Sequence, residues 1–519
     1  MATTPVTFGD ILREHRRARG SSVAMVDGDV TLTWRELDDR VNQLANSLGA
    51  AGVGQGDRIL WLGQNSWRVY ELLGAAAKIG AMVCPGYWRW APPEMAFAIE
   101  DFDPKVIIWQ EQEVGDAYRA ATSLVQGTAT PLALQHDGQG EGSYEAFLTA
   151  GESGDPDLAV DVDAALLVIY TAGSSGRQAG SVLSHRNLLA MAVQNAWATD
   201  VDDSCAFLNS GPMFHIGNFQ FWGLPVYVLG GKNVVVPRPV AAEILPVLAA
   251  ERCTHAFLMP PTVVELVALN RTAGHDLSSL RAAMTPHLWE GMAGEDTSRW
   301  PATGLGGFGQ TELAGMPILS AFGGKGVGNA GRPGPFVSVR LLDLDGNEVP
   351  DGQVGEICAR GDVVHLGYWN RPEVNAERFR HGYWHTTDLG RREPDGTLSF
   401  VGTMTRMLKS GAENIFPAEV ENCIEAHPAV KEAAVIGVPN PRWLQDVKAV
   451  VVLRDGASAT EQEIIEHCRL HIASYKKPKT VEFLDELPKV GGYAKDYAAL
   501  DDTFGGGGYP GGANIGSGG

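Results

Sequence analysis

Apolar and polar positions alternate along the first part of the chain with two different periods. Val23 to Val26 and Val30 to Leu32 flank Asp27-Gly28-Asp29, a pattern that predicts a β-hairpin. Thr33 then stands as a helix N-cap, with Glu36 three residues on as its capping-box partner. From Leu37 to Leu48 the period becomes helical and places Leu37, Val41, Leu44 and Leu48 on one stripe. Gly54-Gln55-Gly56-Asp57 turns the chain into an apolar strand, Arg58 to Leu62. A helix around Trp67 to Ile79 and a strand from Val106 to Trp109 follow. Strands joined by helices predict a mostly parallel sheet covered on both faces.

The stretch Gly151 to Asp163 is rich in Gly, Asp and Pro and reads as a surface connection. An apolar strand, Ala165 to Tyr170, leads from it into a small-residue loop. A β-rich stretch runs from about Val337 to Phe400, with turns at Asp345-Gly346, Asp351-Gly352 and Asp395-Gly396. Beyond it, Val430 to Val438 and Val447 to Val452 read as strands and Glu461 to Ala473 as a helix. The predicted class is α/β: a large N-terminal body of mixed and parallel sheets covered by helices, residues 1–402, and a small α+β domain, residues 403–500. The segment 501–519 is expected to be a flexible tail, since the last fifteen residues hold nine glycines and little that can be buried. No internal repeat is visible.

Composition narrows the classes. The net charge of −21, from 41 Lys and Arg against 62 Asp and Glu, argues against a surface that coats nucleic acid. The six cysteines, Cys84, Cys205, Cys253, Cys358, Cys423 and Cys468, form no CxxC and lie near no histidine pair at metal-ligand spacing. They predict reduced thiols and a cytoplasmic setting. No secretory leader is expected from MATTPVTFGD, and no uncharged apolar run is long enough for a membrane span.

Five segments carry candidate chemistry. Tyr170 to Gly180, YTAGSSGRQAG, follows the buried strand. Its small residues let backbone N–H groups approach phosphate oxygens, and Thr171, Ser174 and Ser175 add hydroxyl donors. A flexible connector is the plain alternative, but a connector has no reason to follow a buried strand directly. Gly306 to Glu312, GGFGQTE, offers a ring beside a base, a hydroxyl for phosphate and a carboxylate for Mg²⁺. Taken alone it is a turn with a helix cap. Tyr383 to Gly390, YWHTTDLG, presents Asp388, which can accept both hydroxyls of a ribose or simply satisfy nearby amides. Met407 to Glu421, MLKSGAENIFPAEVE, sets a Lys-Ser-Gly loop before Pro417 at a helix start. Leu487 to Lys495, LPKVGGYAK, is a Gly-rich turn with two lysines, which alone reads as a solvated basic turn.

In order and spacing these segments resemble the AMP-forming acyl-CoA synthetases of the adenylate-forming superfamily, which also holds peptide-synthetase adenylation domains and beetle luciferases. The resemblance runs from about residue 8 to residue 497 and includes GVGQGDRI and GPMFHIG around His215. It implies a mobile small domain and a two-step reaction. A carboxylate attacks the α-phosphorus of ATP to give acyl-AMP and pyrophosphate, and the thiol of coenzyme A then attacks the acyl carbon and releases AMP. It also implies roles. Thr171, Gly173, Ser174, Ser175 and Gly176 would hold the pyrophosphate portion. Gly307, Phe308 and Gly309 would flank adenine, Thr311 would contact the α-phosphate and Glu312 would hold Mg²⁺. Asp388 would bind ribose, His215 would line the acyl entry beside Phe214, and Lys409, Ser410, Gly411 and Glu413 would help form the coenzyme A channel.

The departures fall where cations are expected. The phosphate loop ends in Gln178-Ala179-Gly180 in place of Pro-Lys-Gly, and Gly402-Thr403 stands in place of Gly-Arg. Ala494 occupies the place of the adenylation lysine, and Ala283-Met284-Thr285-Pro286 replaces Gly-Gly-Ala-Pro. Arg177, Arg406 and Lys495 each lie one to three places from a vacated position. The reading is an active enzyme with shifted cations, in which Arg177, Arg406 and Lys495 act with Thr311 and His215; an impaired nucleotide- or acyl-binding homologue is the alternative. Phe214, Phe219, Phe221, Trp222 and Val226 favour a fatty or other hydrophobic acid, with aryl and alicyclic acids open. Core packing explains the same apolar residues equally well. The expected partners are the small-molecule acid, ATP and coenzyme A, with a carrier-protein thiol as the alternative acceptor, and without nucleic acid. A homodimer is compatible with the sequence.

Overall fold

The computed structural model describes residues 4–127, 130–171, 178–281, 285–404, 408–410, 413–415, 417–441, 443–472, 474, 476–490, 494–507 and 509, with the backbone alone at 409, 413, 414 and 494. The chain forms two compact units. One comprises Met1–Val339 and Ala359–Trp384, the other Arg340–Cys358 and His385–Gly519.

The first unit is built on three sheets. The largest has the order Gly367–Tyr368, Ala179–Ser184, Ala165–Thr171, Met82–Pro85, Arg58–Leu62, Val106–Trp109, Leu132–Gln135. Its far strands are parallel, as βαβ alternation predicts, whereas Ala165–Thr171, Ala179–Ser184 and Gly367–Tyr368 run antiparallel to one another. The sheet is therefore mixed at the edge that carries the small-residue loop. A second sheet places Val23–Asp27 between Lys232–Val235, parallel, and Val30–Thr33, antiparallel. The third is Gly307–Gln310, Gly315–Leu319 and Arg332–Pro333.

Local signals set the helices. Glu36 N–H donates to the Thr33 hydroxyl, and the Glu36 carboxylate accepts the Thr33 N–H at 2.8 Å, so the capping box starts the helix Trp34–Ala50. Leu37, Val41, Leu44 and Leu48 are all fully buried on its inner stripe. The segment VLSHRNLLA divides at Ser184: its hydroxyl accepts from Asn187 N–H and starts the helix His185–Thr199. The first helix, Phe8–Arg19, is tied down through Lys78. This fully buried ammonium donates to Asp38, Asn42 and Asp155 at 2.6, 2.6 and 2.8 Å. Arg13 of that helix reaches the same Asp155. Burial opposes ionisation of Asp155, but the hydrogen bonds from Arg13 and Lys78 outweigh it and hold its carboxyl well below the usual range.

In the second unit, Leu408–Ser410, Leu444–Leu453, Val430–Asn440 and Thr480–Phe483 share a sheet backed by the helices Pro417–Glu425 and Glu461–His471. A helix also runs over Tyr497–Phe504, its last four residues inside the segment 501–519 expected to be a flexible tail. Beyond it Tyr509 is docked, since its hydroxyl donates to Asp501 and accepts from Gly437 N–H. The Tyr509 ring also packs against the core cluster around Val435 and Val447. Residues 510–519 lie outside the described set. All six cysteines are buried and free. Among the described residues no helix is long and apolar enough to cross a membrane.

Four buried histidines of the first unit are held neutral. Burial pushes His136, His185 and His255 down to about 4 and His365 to about 3. The unfolded chain binds these protons near pH 6.5, so their contribution to stability is complete above 6.5 and is lost as pH falls toward 4. His185 Nδ1 accepts the Phe8 N–H, and its protonation there would remove that acceptor. We expect His185→Gln, which keeps an acceptor but cannot titrate, to flatten the fall in the urea midpoint between pH 6.5 and 4. An unchanged slope would refute the assignment.

Candidate active site

The described phosphate-loop residues fall at the two ends of a hairpin. Thr171 closes one strand and Ala179 opens the next, paired directly across the ladder, and Thr171 Oγ1 donates to the Ala179 carbonyl at 3.4 Å. Gly173, Ser174, Ser175, Gly176 and Arg177 lie outside the described residues. At the exit of the loop, Arg371 pairs with Asp101 at 2.8 Å and reaches the Gln178 carbonyl at 3.4 Å. Arg371 was not legible as a neighbour of this loop, because nearly two hundred residues of sequence separate them.

The GGFGQTE segment is a hairpin arm followed by a tight turn. Gly307–Gln310 pairs with Gly315–Leu319, and Thr311–Leu313 forms one 3₁₀ turn between them. Gly309 is required there: a Cβ would collide with the Gly315 carbonyl and the Met316 backbone. Phe308 is buried, while Thr311 is half-buried at the turn.

Glu312 is nearly buried, and burial raises its carboxyl above the usual range. The Tyr368 hydroxyl donates to Glu312 Oε1 at 2.5 Å, and His365 N–H donates to the Glu312 carbonyl at 2.9 Å. Tyr368 belongs to the edge strand Gly367–Tyr368, where it pairs with Ser181, and His365 Nδ1 lies 2.9 Å from the Ser181 hydroxyl. The strand leaving the phosphate loop and the turn carrying Glu312 are thereby tied to one short segment. Tyr368 and His365 were missed by the motif reading, since neither belongs to a residue run with chemistry of its own. The Glu312 side chain fits a divalent cation: Tyr368 fixes one oxygen and leaves the carboxylate an anionic oxygen donor of the kind Mg²⁺ takes.

His215 caps the short helix Ile216–Asn218, its Nδ1 accepting from Gly217 N–H at 3.1 Å. Phe214 beside it packs on Tyr87, ring centroids 4.7 Å apart. The chain continues as a π-helical turn, Phe219–Gly223, with Phe219, Phe221 and Trp222 buried.

In the second unit Asp388 lies opposite Thr403 in the antiparallel ladder, so the position vacated by the expected arginine faces the ribose candidate directly. Thr387, next to Asp388, has φ +61°, a left-handed conformation that a β-branched residue adopts only under constraint. Glu356 supplies the constraint. Its Oε1 accepts the Thr387 N–H at 2.8 Å and its Oε2 lies 2.7 Å from His385 Nδ1. Cys358 Sγ is 3.3 Å from the same nitrogen. Sequence spacing indicated no cysteine among metal-ligand types, yet Glu356, Cys358 and His385 converge with ligand atoms within 4.8 Å. Their hydrogen bonds assign the cluster to propping Thr387. Thr386 completes the support, donating to the Ile357 carbonyl and accepting from Asp388 N–H.

Lys495 sits in a two-strand ladder opposite Lys489. Its ammonium lies 3.1 Å from Glu421 and 3.2 Å from Glu425. Burial works against the charge, but the two carboxylates outweigh it and raise the ammonium above its ordinary range. Ser410 pairs with Glu413 across a hairpin; the side chains of Lys409 and Glu413 are not described, and Arg406 and Gly411 lie outside the described residues.

Strain at Thr387 gives a direct test. Glycine adopts this conformation freely, so Thr387→Gly is expected to raise stability by about 1 kcal/mol in urea unfolding, whereas Glu356→Ala should lower it by about 2 kcal/mol by orphaning the Thr387 amide. Equal effects of opposite sign to these would discard the strain account.

Comparison with known proteins places the chain. It matches the model of the AMP-binding enzyme family over residues 12–369 and that of the AMP-binding enzyme C-terminal domain over residues 419–491. A feruloyl-CoA synthase of Amycolatopsis sp is 37% identical over 484 residues, 92% of this chain and 95% of that protein. An indoleacetate–CoA ligase of Aromatoleum aromaticum is 33% identical over 464 residues, 88% of this chain and 90% of that one. The solved fatty acyl CoA synthetase of Mycobacterium tuberculosis superposes with a TM-score of 0.75 at 28% identity, covering 96% of this chain and 98% of that chain. The family match over most of the chain and these identities agree: the chain belongs to the AMP-binding enzyme family and is an AMP-forming acyl-CoA synthetase of the adenylate-forming superfamily.

Proposed function

We propose that the chain activates a carboxylic acid with a hydrophobic body as acyl-AMP and passes the acyl group to the thiol of coenzyme A. The observation that carries this reading is the Glu312 carboxylate. It is fixed by Tyr368, and Tyr368 pairs with the strand that leaves the phosphate loop. A carboxylate held rigidly beside a phosphate-binding hairpin has its orientation cost met before substrate arrives. The buried Phe219, Phe221 and Trp222 after His215 support an apolar acid. So do the relatives, whose names carry feruloyl, indoleacetate and fatty acyl groups.

In the first step the acid's carboxylate oxygen bonds to the α-phosphorus of ATP and pyrophosphate leaves. Thr171 and the loop after it hold the departing phosphates, Thr311 donates to the α-phosphate, and Asp388 accepts from the ribose hydroxyls. Glu312 would hold Mg²⁺, which when bound would supply positive charge against the phosphate oxygens. In the second step the coenzyme A thiol attacks the acyl carbon and AMP leaves, with the Lys409 to Glu413 loop lining the channel and His215 the acyl entry. Lys495, Arg177 and Arg406 take the place of the cations missing from the family positions. In the arrangement described, Lys495 is neutralised by Glu421 and Glu425, so its role requires release from that pair.

Acid-dependent exchange between pyrophosphate and ATP tests the first step, and thioester formation with free coenzyme A the second. Exchange is expected with the native chain and should fall about 10²-fold or more in Glu312→Gln and in Lys495→Ala. Wild-type exchange in Lys495→Ala would reject the shifted cation. Exchange without thioester would move the acceptor to a carrier-protein thiol. No exchange on any acid would leave a binding homologue.

A further inference from the structure

A nearly buried carboxylate of the first unit serves both ends of the phosphate loop without belonging to it. Asp101 lies in the last turn of the helix Pro92–Phe102, and its side chain is only 9% exposed. Its Oδ2 accepts from the Tyr170 hydroxyl at 2.7 Å, and Tyr170 immediately precedes Thr171 on the strand that enters the loop. Its Oδ1 accepts from Arg371 Nη1 at 2.8 Å. Arg371 Nη2 in turn reaches the carbonyl of Gln178 at 3.4 Å, just before the strand Ala179–Ser184 that leaves the loop. One carboxylate thus meets the entering strand directly and the leaving strand through a guanidinium.

Arg371 is brought there by the segment that also carries Tyr368. Leu366 N–H donates to the Val182 carbonyl at 2.8 Å and Trp369 N–H to the Gly180 carbonyl at 2.7 Å, so each step along this segment is a step toward the loop exit. Trp369 Nε1 and Asn370 Nδ2 both donate to the Asp101 carbonyl, at 2.8 and 3.2 Å. That carbonyl is among the last four of its helix, which the helix itself leaves without partners. Asn370 takes φ +50°, a left-handed turn that asparagine tolerates. The Arg371 guanidinium carbon lies 6.0 Å from the Phe97 ring of the same helix. These contacts fix Arg371 and Asp101 against each other before any nucleotide arrives.

The pairing also sets the charge at the mouth of the loop. Without Arg371 the Asp101 carboxylate would stand unpaired beside Tyr170, where water screens it poorly, and it would repel a polyphosphate. We propose that Asp101 and Arg371 are positioning residues for the first step. They hold the two ends of the phosphate loop in place, and Arg371 offsets the carboxylate that would otherwise oppose the β- and γ-phosphates of ATP. The proposal rests on the acyl-AMP reading above. A loop held in its binding form loses little freedom when the polyphosphate docks, so affinity rises without a direct contact from either side chain.

The test measures Kd for Mg–ATP, Mg–pyrophosphate and AMP by calorimetry without acid, in the native chain, Asp101→Asn, Arg371→Gln, the double variant and Tyr170→Phe. AMP lacks the phosphates that the loop would hold, so it reports on the rest of the site. We expect Arg371→Gln to weaken ATP and pyrophosphate by about tenfold or more, the size of a lost charged hydrogen bond, with AMP at its native Kd. Asp101→Asn and Tyr170→Phe should shift ATP and pyrophosphate in the same direction by less. Adding Asp101→Asn to Arg371→Gln should recover much of the lost affinity, because it removes the orphaned carboxylate. Equal weakening of AMP and ATP, or native affinities with only the melting temperature lowered, overturns the proposal with the acyl-AMP reading intact. So does a double variant no better than Arg371→Gln. If Arg371→Gln does not fold, Asp101→Asn and Tyr170→Phe decide on the same contrast between pyrophosphate and AMP. A native chain that binds neither ATP nor pyrophosphate defeats the acyl-AMP reading, and this proposal with it.

Discussion

The short pairing of Gly367–Tyr368 with the edge of Ala179–Ser184 holds the first unit's chemistry in register. Two residues in a ladder are a weak interaction by themselves. Here they carry the Tyr368 hydroxyl to Glu312 and follow His365, which binds Ser181 and the Glu312 carbonyl. Three segments distant in sequence thus share one set of hydrogen bonds, and the loss of any one leaves a buried partner unpaired. The antiparallel end of an otherwise parallel sheet follows from the same need. A phosphate loop that returns as a hairpin must pair antiparallel, and only an edge strand can then accept Tyr368 beside it.

Two buried charges of the first unit are well matched: Lys78 meets Asp38, Asn42 and Asp155, and Glu71 meets Arg40 and Tyr144. Such pairs stabilise little by themselves, but removing one partner is severe. Gln194 Oε1, Gln220 Oε1 and both side-chain polar atoms of Asn195 and Asn218 have no hydrogen-bond partner among the described residues.

The net charge of −21 gains meaning from the second unit. An acidic surface does not attract anionic nucleotides at long range. Thr403 occupies the cation position opposite Asp388, and Lys495 is held by two carboxylates. On the reading proposed above, charge stabilisation would depend on a few local groups, with Lys495 released from its two carboxylates. Thr387, in a left-handed conformation beside Asp388, is propped by Glu356 at the same place.

Periodicity and caps were enough to reveal the hairpin at Val23, the capping box at Thr33, the helix stripe of Leu37 to Leu48 and the strand Val106–Trp109, because each depends on neighbours within a few residues. The five motifs disclosed the family for a related reason: small residues, hydroxyls and carboxylates at set spacings record contacts to a nucleotide. Composition alone did not disclose the helix Tyr497–Phe504 or the Tyr509 hydroxyl contacts to Asp501 and Gly437. What no local pattern could contain is convergence. Arg371 at Gln178, Tyr368 at Glu312 and Glu356 beneath Thr387 each join segments far apart in sequence. A hydrogen bond acts over about 3 Å in space whatever the separation along the chain, so tertiary structure alone decided those pairings.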